Sequence, residues 1–179
     1  SYISLAVYDG IPYVAYRNDG TKPTVMFYSN NAWNILGTSN FSAGFINVIT
    51  IAIDNGIPYV AYSDVANSQK ATVMFYSNDN WNTLGTAGFS AGMVTYISLA
   101  INNCIPFVAY RDNVYSSKAT VMFYSNDTWN TLGTAGFSAG AAYDISLAIN
   151  NCIPFVAYSD DNTFSKANVM FYSNNTWTN

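Results

Sequence analysis

The chain has 179 residues and a net charge of −4, from 6 Lys and Arg against 10 acidic residues, all of them Asp, and it contains no His. With neither His nor Glu, it cannot build a Ser-His-Asp triad, a His-ligated metal site or an imidazole acid–base pair. Six scattered cations give no electrostatic footprint for nucleic acid, while 50% hydrophobic and 17% aromatic residues are ample for a packed core.

Self-similarity organises everything else. Trp33, Trp81, Trp129 and Trp177 recur every 48 residues, as do Lys22, Lys70, Lys118 and Lys166. Pro12, Pro58, Pro106 and Pro154 follow at spacings of 46, 48 and 48, so the first unit is two residues short between its Pro and its Lys. Residues 70–92 and 118–140 differ at one position only, which indicates recent duplication. The chain is therefore one repeat region, residues 1–179, with units over about 2–48, 49–95, 96–144 and 145–179.

The first unit opens on an expected strand over Tyr2–Val7. The second shows the full pattern. Ile49–Ile53 alternates large and small side chains at period two, as a strand does. Asp54-Asn55-Gly56 supplies turn chemistry, because Asn and Gly tolerate positive φ. Ile57–Tyr62 is the second strand, with Pro58 at its start, where a missing N–H is tolerated. A variable polar loop runs from Ser63 to Gln69, and Ala71–Tyr76 is the third strand. After a tight turn at Ser77–Asn80, Trp81–Leu84 begins a fourth strand. Gly85–Gly92 then connects to the next unit. No segment has helical periodicity.

Four antiparallel strands in each unit of this length predict an all-β protein, a β-propeller of four-stranded blades, with about four blades in the chain and the last one incomplete. The segment Ile49–Tyr62 (ITIAIDNGIPYVAY) resembles the inner two strands of extracellular β-propeller repeat proteins, in which an apolar strand, a D-x-G-x-P turn and a Y-V-A-Y strand recur. The resemblance spans the chain and implies a fold rather than an activity. Signatures of WD repeats, Kelch repeats and sialidase boxes are absent. The period is similar to that of the sugar-binding, five-bladed tachylectin, but the motifs do not match, so no binding residues carry over.

The blade count leaves the ring open. The register provides no strand from one end to complete a blade at the other, which leaves a weakly closed four-bladed ring, a piece of a longer array, or an assembly of several chains. The last two are favoured, because an open propeller exposes an apolar blade face.

Candidate chemistry is sparse. Asp64, Asp112 and Asp160 follow the second strand of their units, as Asn18 does in the first. They read either as partners of the repeated lysines across a hairpin or as a ring that hydrogen-bonds sugar hydroxyls or a cation. No Ca²⁺ loop is present and no metal site is expected. Trp33, Trp81 and Trp129 read as inter-sheet packing or as stacking platforms for a sugar ring. Cys104 and Cys152 occupy equivalent turns in adjacent blades, too far apart for the expected disulfide geometry, so free thiols are expected. Sequons stand at Asn40, Asn126 and Asn174, the last two at one hairpin tip.

Every candidate polar group repeats with the fold, whereas an active site needs an asymmetric constellation, so no enzymatic activity and no cofactor are expected. The reading is a non-enzymatic, multivalent binding or adhesion module, lectin-like, whose partners are glycans or cell-surface proteins. The alternative is a structural subunit of an extracellular filament or coat. Self-association through open blade edges is expected. Nucleic acid and membrane insertion are not, since no stretch approaches the roughly 18 apolar residues of a spanning helix. The absence of a leader at Ser1 reads as a mature or excised segment of a secreted protein.

Overall fold

A computed structural model describes residues 3–179. Tyr2, where the first strand and the first unit are expected to begin, lies outside the described residues. Four antiparallel sheets follow one another along the chain, each an up-and-down meander of four strands. The first holds β1 (Ile3–Tyr8), β2 (Ile11–Arg17), β3 (Pro23–Ser29) and β4 (Ala32–Ile35). The second holds β5 (Ile46–Asp54), β6 (Ile57–Asp64), β7 (Lys70–Ser77) and β8 (Asn80–Thr83). The third is built from β9 (Val94–Asn102), β10 (Ile105–Asp112), β11 (Lys118–Ser125) and β12 (Thr128–Thr131). The fourth is built from β13 (Ala142–Asn150), β14 (Ile153–Asp160), β15 (Lys166–Ser173) and β16 (Thr176–Thr178). These are the four-stranded blades the repeat calls for.

Two boundaries differ from the sequence reading. The inner strand β5 starts at Ile46 rather than Ile49, because the chain enters it across a β-bulge where the register slips between Ile46 and Ile49. The segment expected as loop after Tyr62 is only partly so: Ser63 and Asp64 belong to β6, and Val65–Asn67 forms a 3-10 turn. The hairpin tips follow the chemistry of their sequence. Asn78 and Asp79 both have positive φ, 51° and 59°, the type I′ geometry that matches strand twist.

Each blade has a bulky leading face and a small-residue trailing face, and the core lies between them. Ile49, Ile51, Tyr62 and Met74 of the second blade cover Ala15 and Val25 of the first. Ile97, Leu99, Tyr110 and Trp129 of the third cover Ala61, Ala71 and Val73 of the second. Ile145, Leu147, Tyr158 and Trp177 of the fourth cover Ala109, Ala119 and Val121 of the third. The period-two alternation of the inner strands arises because each sheet is packed on both sides.

The connection between blades locks each junction. Phe41, Phe89 and Phe137 stack on Trp81, Trp129 and Trp177 of the following blade, at centroid distances of 4.4, 4.0 and 4.2 Å. The indole N–H groups of the same tryptophans donate to the carbonyls of Leu36, Leu84 and Leu132 at 3.2, 3.0 and 3.0 Å. The four blades do not close into a ring. Accordingly Leu5, Val7 and Trp33 on the leading face of the first blade are 62%, 63% and 48% exposed. On the trailing face of the fourth, Val169 is 54% exposed, whereas its equivalents Val25, Val73 and Val121 are fully buried. No helix among the described residues is long and apolar enough to cross a membrane.

Candidate functional site

Asp64, Asp112 and Asp160 are buried at the ends of β6, β10 and β14. Each caps a 3-10 turn, accepting from the backbone N–H of Ala66, Val114 or Asn162. Asp64 Oδ2 also accepts from Asn67 Nδ2 at 2.9 Å and from the Thr72 hydroxyl at 3.0 Å. Extended backbone with a side-chain oxygen that accepts from the N–H two residues ahead is ordinary N-cap geometry. Burial raises the Asp112 carboxyl above its usual range, against the pull of the Val114 N–H, the Thr120 hydroxyl and the Tyr115 N–H. The repeated aspartates thus face the turn rather than solvent, and a ring of them is not presented to a ligand.

The tryptophans divide. Trp129 is buried and Trp81 half-buried, both held by the stacks and hydrogen bonds described above, whereas Trp33 stands open with Val14, Tyr16 and Met26 around a groove of about 270 Å³. Asn40, Asn126 and Asn174 are all exposed, and Asn126 and Asn174 occupy positive-φ turn positions. Cys104 and Cys152 are free, exposed thiols in left-handed turns, and each accepts a weak contact from an Asn of the preceding blade, Asn55 or Asn103.

Two kinds of site remain. The first repeats. A cleft of about 280 Å³ lies between the third and fourth blades, lined by Lys118, Thr134, Phe137, Ser138, Thr176 and Trp177. Its equivalent between the second and third blades, also about 280 Å³, is lined by Lys70, Thr86, Phe89, Ser90, Thr128 and Trp129. The serine hydroxyls are already committed: Ser138 accepts from the Ala119 N–H and donates to the Gly140 carbonyl.

The second is asymmetric. The ladder of β9 and β10 slips between Ala109 and Arg111, and that of β13 and β14 between Tyr143 and Ser159 on one side and Ser146 and Ala157 on the other. Each bulge puts a non-glycine residue into the left-handed region, Tyr96 at φ 49° and Asp144 at φ 50°. Left-handed backbone costs an L-residue about 1–2 kcal/mol. Asp144 is exposed. Arg111 reaches across the junction, its guanidinium carbon 4.3 Å from the Tyr143 ring centroid and 6.0 Å from that of Tyr96. The two rings meet edge to face at 5.8 Å and 71°. Arg111 Nε and Thr95 Oγ1, on residues that face each other in the ladder, are buried with no hydrogen-bond partner in the protein. Buried donors are normally satisfied, so this pair departs from the usual pattern of a folded protein.

The repeat hides this constellation. At the equivalent bulge the second blade carries Asn47 and Val48, and Arg111 is matched by Ser63 in the second blade and Ser159 in the fourth, while the first blade carries Arg17 at that position. Comparing the units for their departures rather than their identities is the signal that finds it.

No protein-family model matches the chain, and no curated protein matches it in sequence. Solved structures do match in fold. GH43B of a Bacteroides ovatus xyloglucan PUL superposes with a TM-score of 0.64 at 11% identity, over 99% of this chain and 40% of that one. A triple arginine-to-alanine mutant of AofleA from Arthrobotrys oligospora gives 0.69 at 9% identity, over 98% of this chain and 54% of its own. Penicillium chrysogenum alpha-L-arabinanase, complexed with arabinobiose, gives 0.62 at 11% identity, over 98% and 62%. The chain carries the blades of a β-propeller. It spans less than two thirds of the length of each of these neighbours. The likeness is one of fold, and the fold is one that carbohydrate-active proteins use.

These findings correct the functional reading of the sequence. Both the non-enzymatic binding or adhesion module and its alternative, a structural subunit of a filament or coat, set catalysis aside. A fold shared with an arabinanase and a GH43 protein overturns that exclusion.

Proposed function

We propose that the chain is part of a saccharide-processing β-propeller whose activity is glycoside hydrolysis, with the sugar held at Tyr96, Arg111, Tyr143 and Asp144. The observation that carries the reading is the exposed Asp144, in left-handed backbone and next in sequence to Tyr143, over whose ring the Arg111 guanidinium lies at 4.3 Å. Tyrosine rings offer flat apolar surface to the C–H face of a sugar, and a guanidinium offers planar donors to its hydroxyls. Asp144 takes one of the two carboxylate roles that glycoside hydrolysis uses. The arabinanase and xyloglucan-locus neighbours support a polysaccharide as substrate, and a polymeric substrate is met outside the cell.

The test is release of reducing ends from arabinan and xyloglucan. Asp144→Asn should lower the rate by about 100-fold or more, the usual share of an acid–base group, with the thermal midpoint unchanged. No release from either polymer, together with no saccharide-dependent rise in the thermal midpoint, would sink the reading.

A further inference from the structure

We propose that the cleft between the second and third blades and the cleft between the third and fourth are two copies of one binding site for an acidic saccharide, each taking a single uronic acid residue. This holds whether or not the Asp144 site hydrolyses a glycoside. All seven positions that line one cleft carry the same residue type in the other, 48 residues along the chain. The cleft between the second and third blades has a complete four-stranded sheet on either side, so it is formed wholly inside the chain.

The uncommitted chemistry of each cleft is one cation and two hydroxyls. Lys70 and Lys118 are half-buried, and among the described residues neither ammonium has a hydrogen-bond or ion-pair partner. Lys22, the same lysine at the first junction, instead donates to the carbonyls of Ser42 and Ala43 at 3.3 and 3.5 Å. That junction also carries Asn40 and Asn80 where the other two have glycine and threonine. Thr86 and Thr128 of one cleft, and Thr134 and Thr176 of the other, are exposed, and their hydroxyls bond to no other group among the described residues. The rest of the polar lining is occupied. Ser90 and Ser138 each accept one backbone N–H and donate to one carbonyl. The N–H groups of Gly88 and Gly136 donate to the hydroxyls of Thr72 and Thr120, both at 2.9 Å.

These groups select the ligand. An ammonium only donates and carries a single positive charge, so a carboxylate is its natural partner. A hydroxyl both donates and accepts, which suits the hydroxyls of a sugar ring. No acidic side chain lines either cleft, in a chain whose net charge is −4. Phe89 on Trp129, and Phe137 on Trp177, supply the apolar part of the lining. Each cleft holds about 280 Å³, just below the roughly 300–1,000 Å³ of pockets for drug-sized ligands, which limits the occupant to one sugar residue.

The experiment follows the assigned indole N–H signals by heteronuclear NMR during titration with galacturonate, with galactose and inorganic sulfate as comparison probes. Galacturonate should shift the signals of Trp129 and Trp177 and leave those of Trp33 and Trp81 in place. Lys70→Gln should weaken the Trp129 response by about tenfold or more and spare that of Trp177, and Lys118→Gln should do the reverse. The spared cleft in each variant verifies that the chain is folded. Trigalacturonate acting at a lower concentration than galacturonate identifies a polymer as the source of the ligand, and action at the same concentration identifies the free sugar acid. Galactose acting as strongly as galacturonate overturns the proposal, because the carboxylate would then have no part in binding. So does sulfate acting as strongly, which would mean an anion site with no use for a sugar. A shift that survives the change of both lysines, a uniform shift of all four indoles, or no shift at all overturns it as well.

Discussion

Phe89 and Trp129 stack with their centroids 4.0 Å apart and their planes 9° from parallel, across the junction of the second and third blades. The indole also donates to the Leu84 carbonyl, at the start of the segment that carries Phe89. One side chain thus fastens both the exit of one blade and the face of the next. Trp129→Ala should destabilise the chain by about 3–5 kcal/mol, the usual range for a buried Trp. Trp33→Ala should cost less than about 1 kcal/mol in this chain, since Trp33 is 48% exposed. Urea midpoints of the two variants, measured side by side, check the contrast.

Asp64 gives a second test. Its carboxylate serves the Ala66 N–H, the Asn67 amide and the Thr72 hydroxyl. Asp64→Ala removes a cap and leaves a buried hydroxyl unmatched, and should cost about 2 kcal/mol. Asp64→Asn keeps an acceptor for the backbone and should cost less. Equal losses in the two variants would show that charge, not acceptor geometry, is what matters there.

The turn cysteines are strained in a way that glycine is not. Cys104 and Cys152 both have φ 63° at positions where the first two blades carry Gly10 and Gly56. Replacing each Cys by Gly should raise stability by about 0.5–1 kcal/mol per site, because the left-handed penalty of a β-carbon exceeds the entropy glycine loses. Denaturant titration of the double variant reads the sum.

Alkaline stability follows from the buried tyrosines. Burial, and then the neighbouring Asp160 charge, pushes the Tyr158 phenol from 10.0 up to about 12, and burial raises Tyr62 and Tyr110 further. In the unfolded chain these phenols ionise near 10, so above that pH the folded state holds more protons. Stability is therefore complete below pH 10 and falls as pH rises, for Tyr158 through the window from 10 to about 12. Tyr158→Phe should flatten the slope of the thermal midpoint against pH in that window. An unchanged slope would remove Tyr158 from the account.

Asp144 offers a test of the proposed hydrolytic site. Asp144→Gly should relieve the left-handed backbone and leave the fold as stable or more so, while abolishing saccharide turnover. Calorimetry and reducing-end release on the same sample read the two effects.

The blades were legible in the sequence because their signals are local. Asn78-Asp79 names its own turn, Ile57–Tyr62 its own strand, and the recurrence of Trp and Lys counts the units. The strand start at Ile46 was not legible, since a bulge depends on the partner strand. The role of Asp64 was hidden for a related reason: its acceptors are used within the next eight residues, in a 3-10 turn that reads as polar loop. The junction of Tyr96, Arg111, Tyr143 and Asp144 was missed because these residues come from two blades and from positions where the repeat is broken, while attention to periodicity favours positions where it is kept.

The meander within each blade has a kinetic consequence. Every strand pairs with its neighbour in sequence, so each blade can form from local contacts and then serve as the template for the next. Yet residues 70–92 and 118–140 are the same but for one side chain, so β7 and β11 are interchangeable partners during assembly. A refolding chain can seat the hairpin of one blade in the place of the other, or lend it to a neighbouring molecule. Sequence drift at Asn80 and Thr128, the one position that separates them, is where the chain has begun to tell its own blades apart.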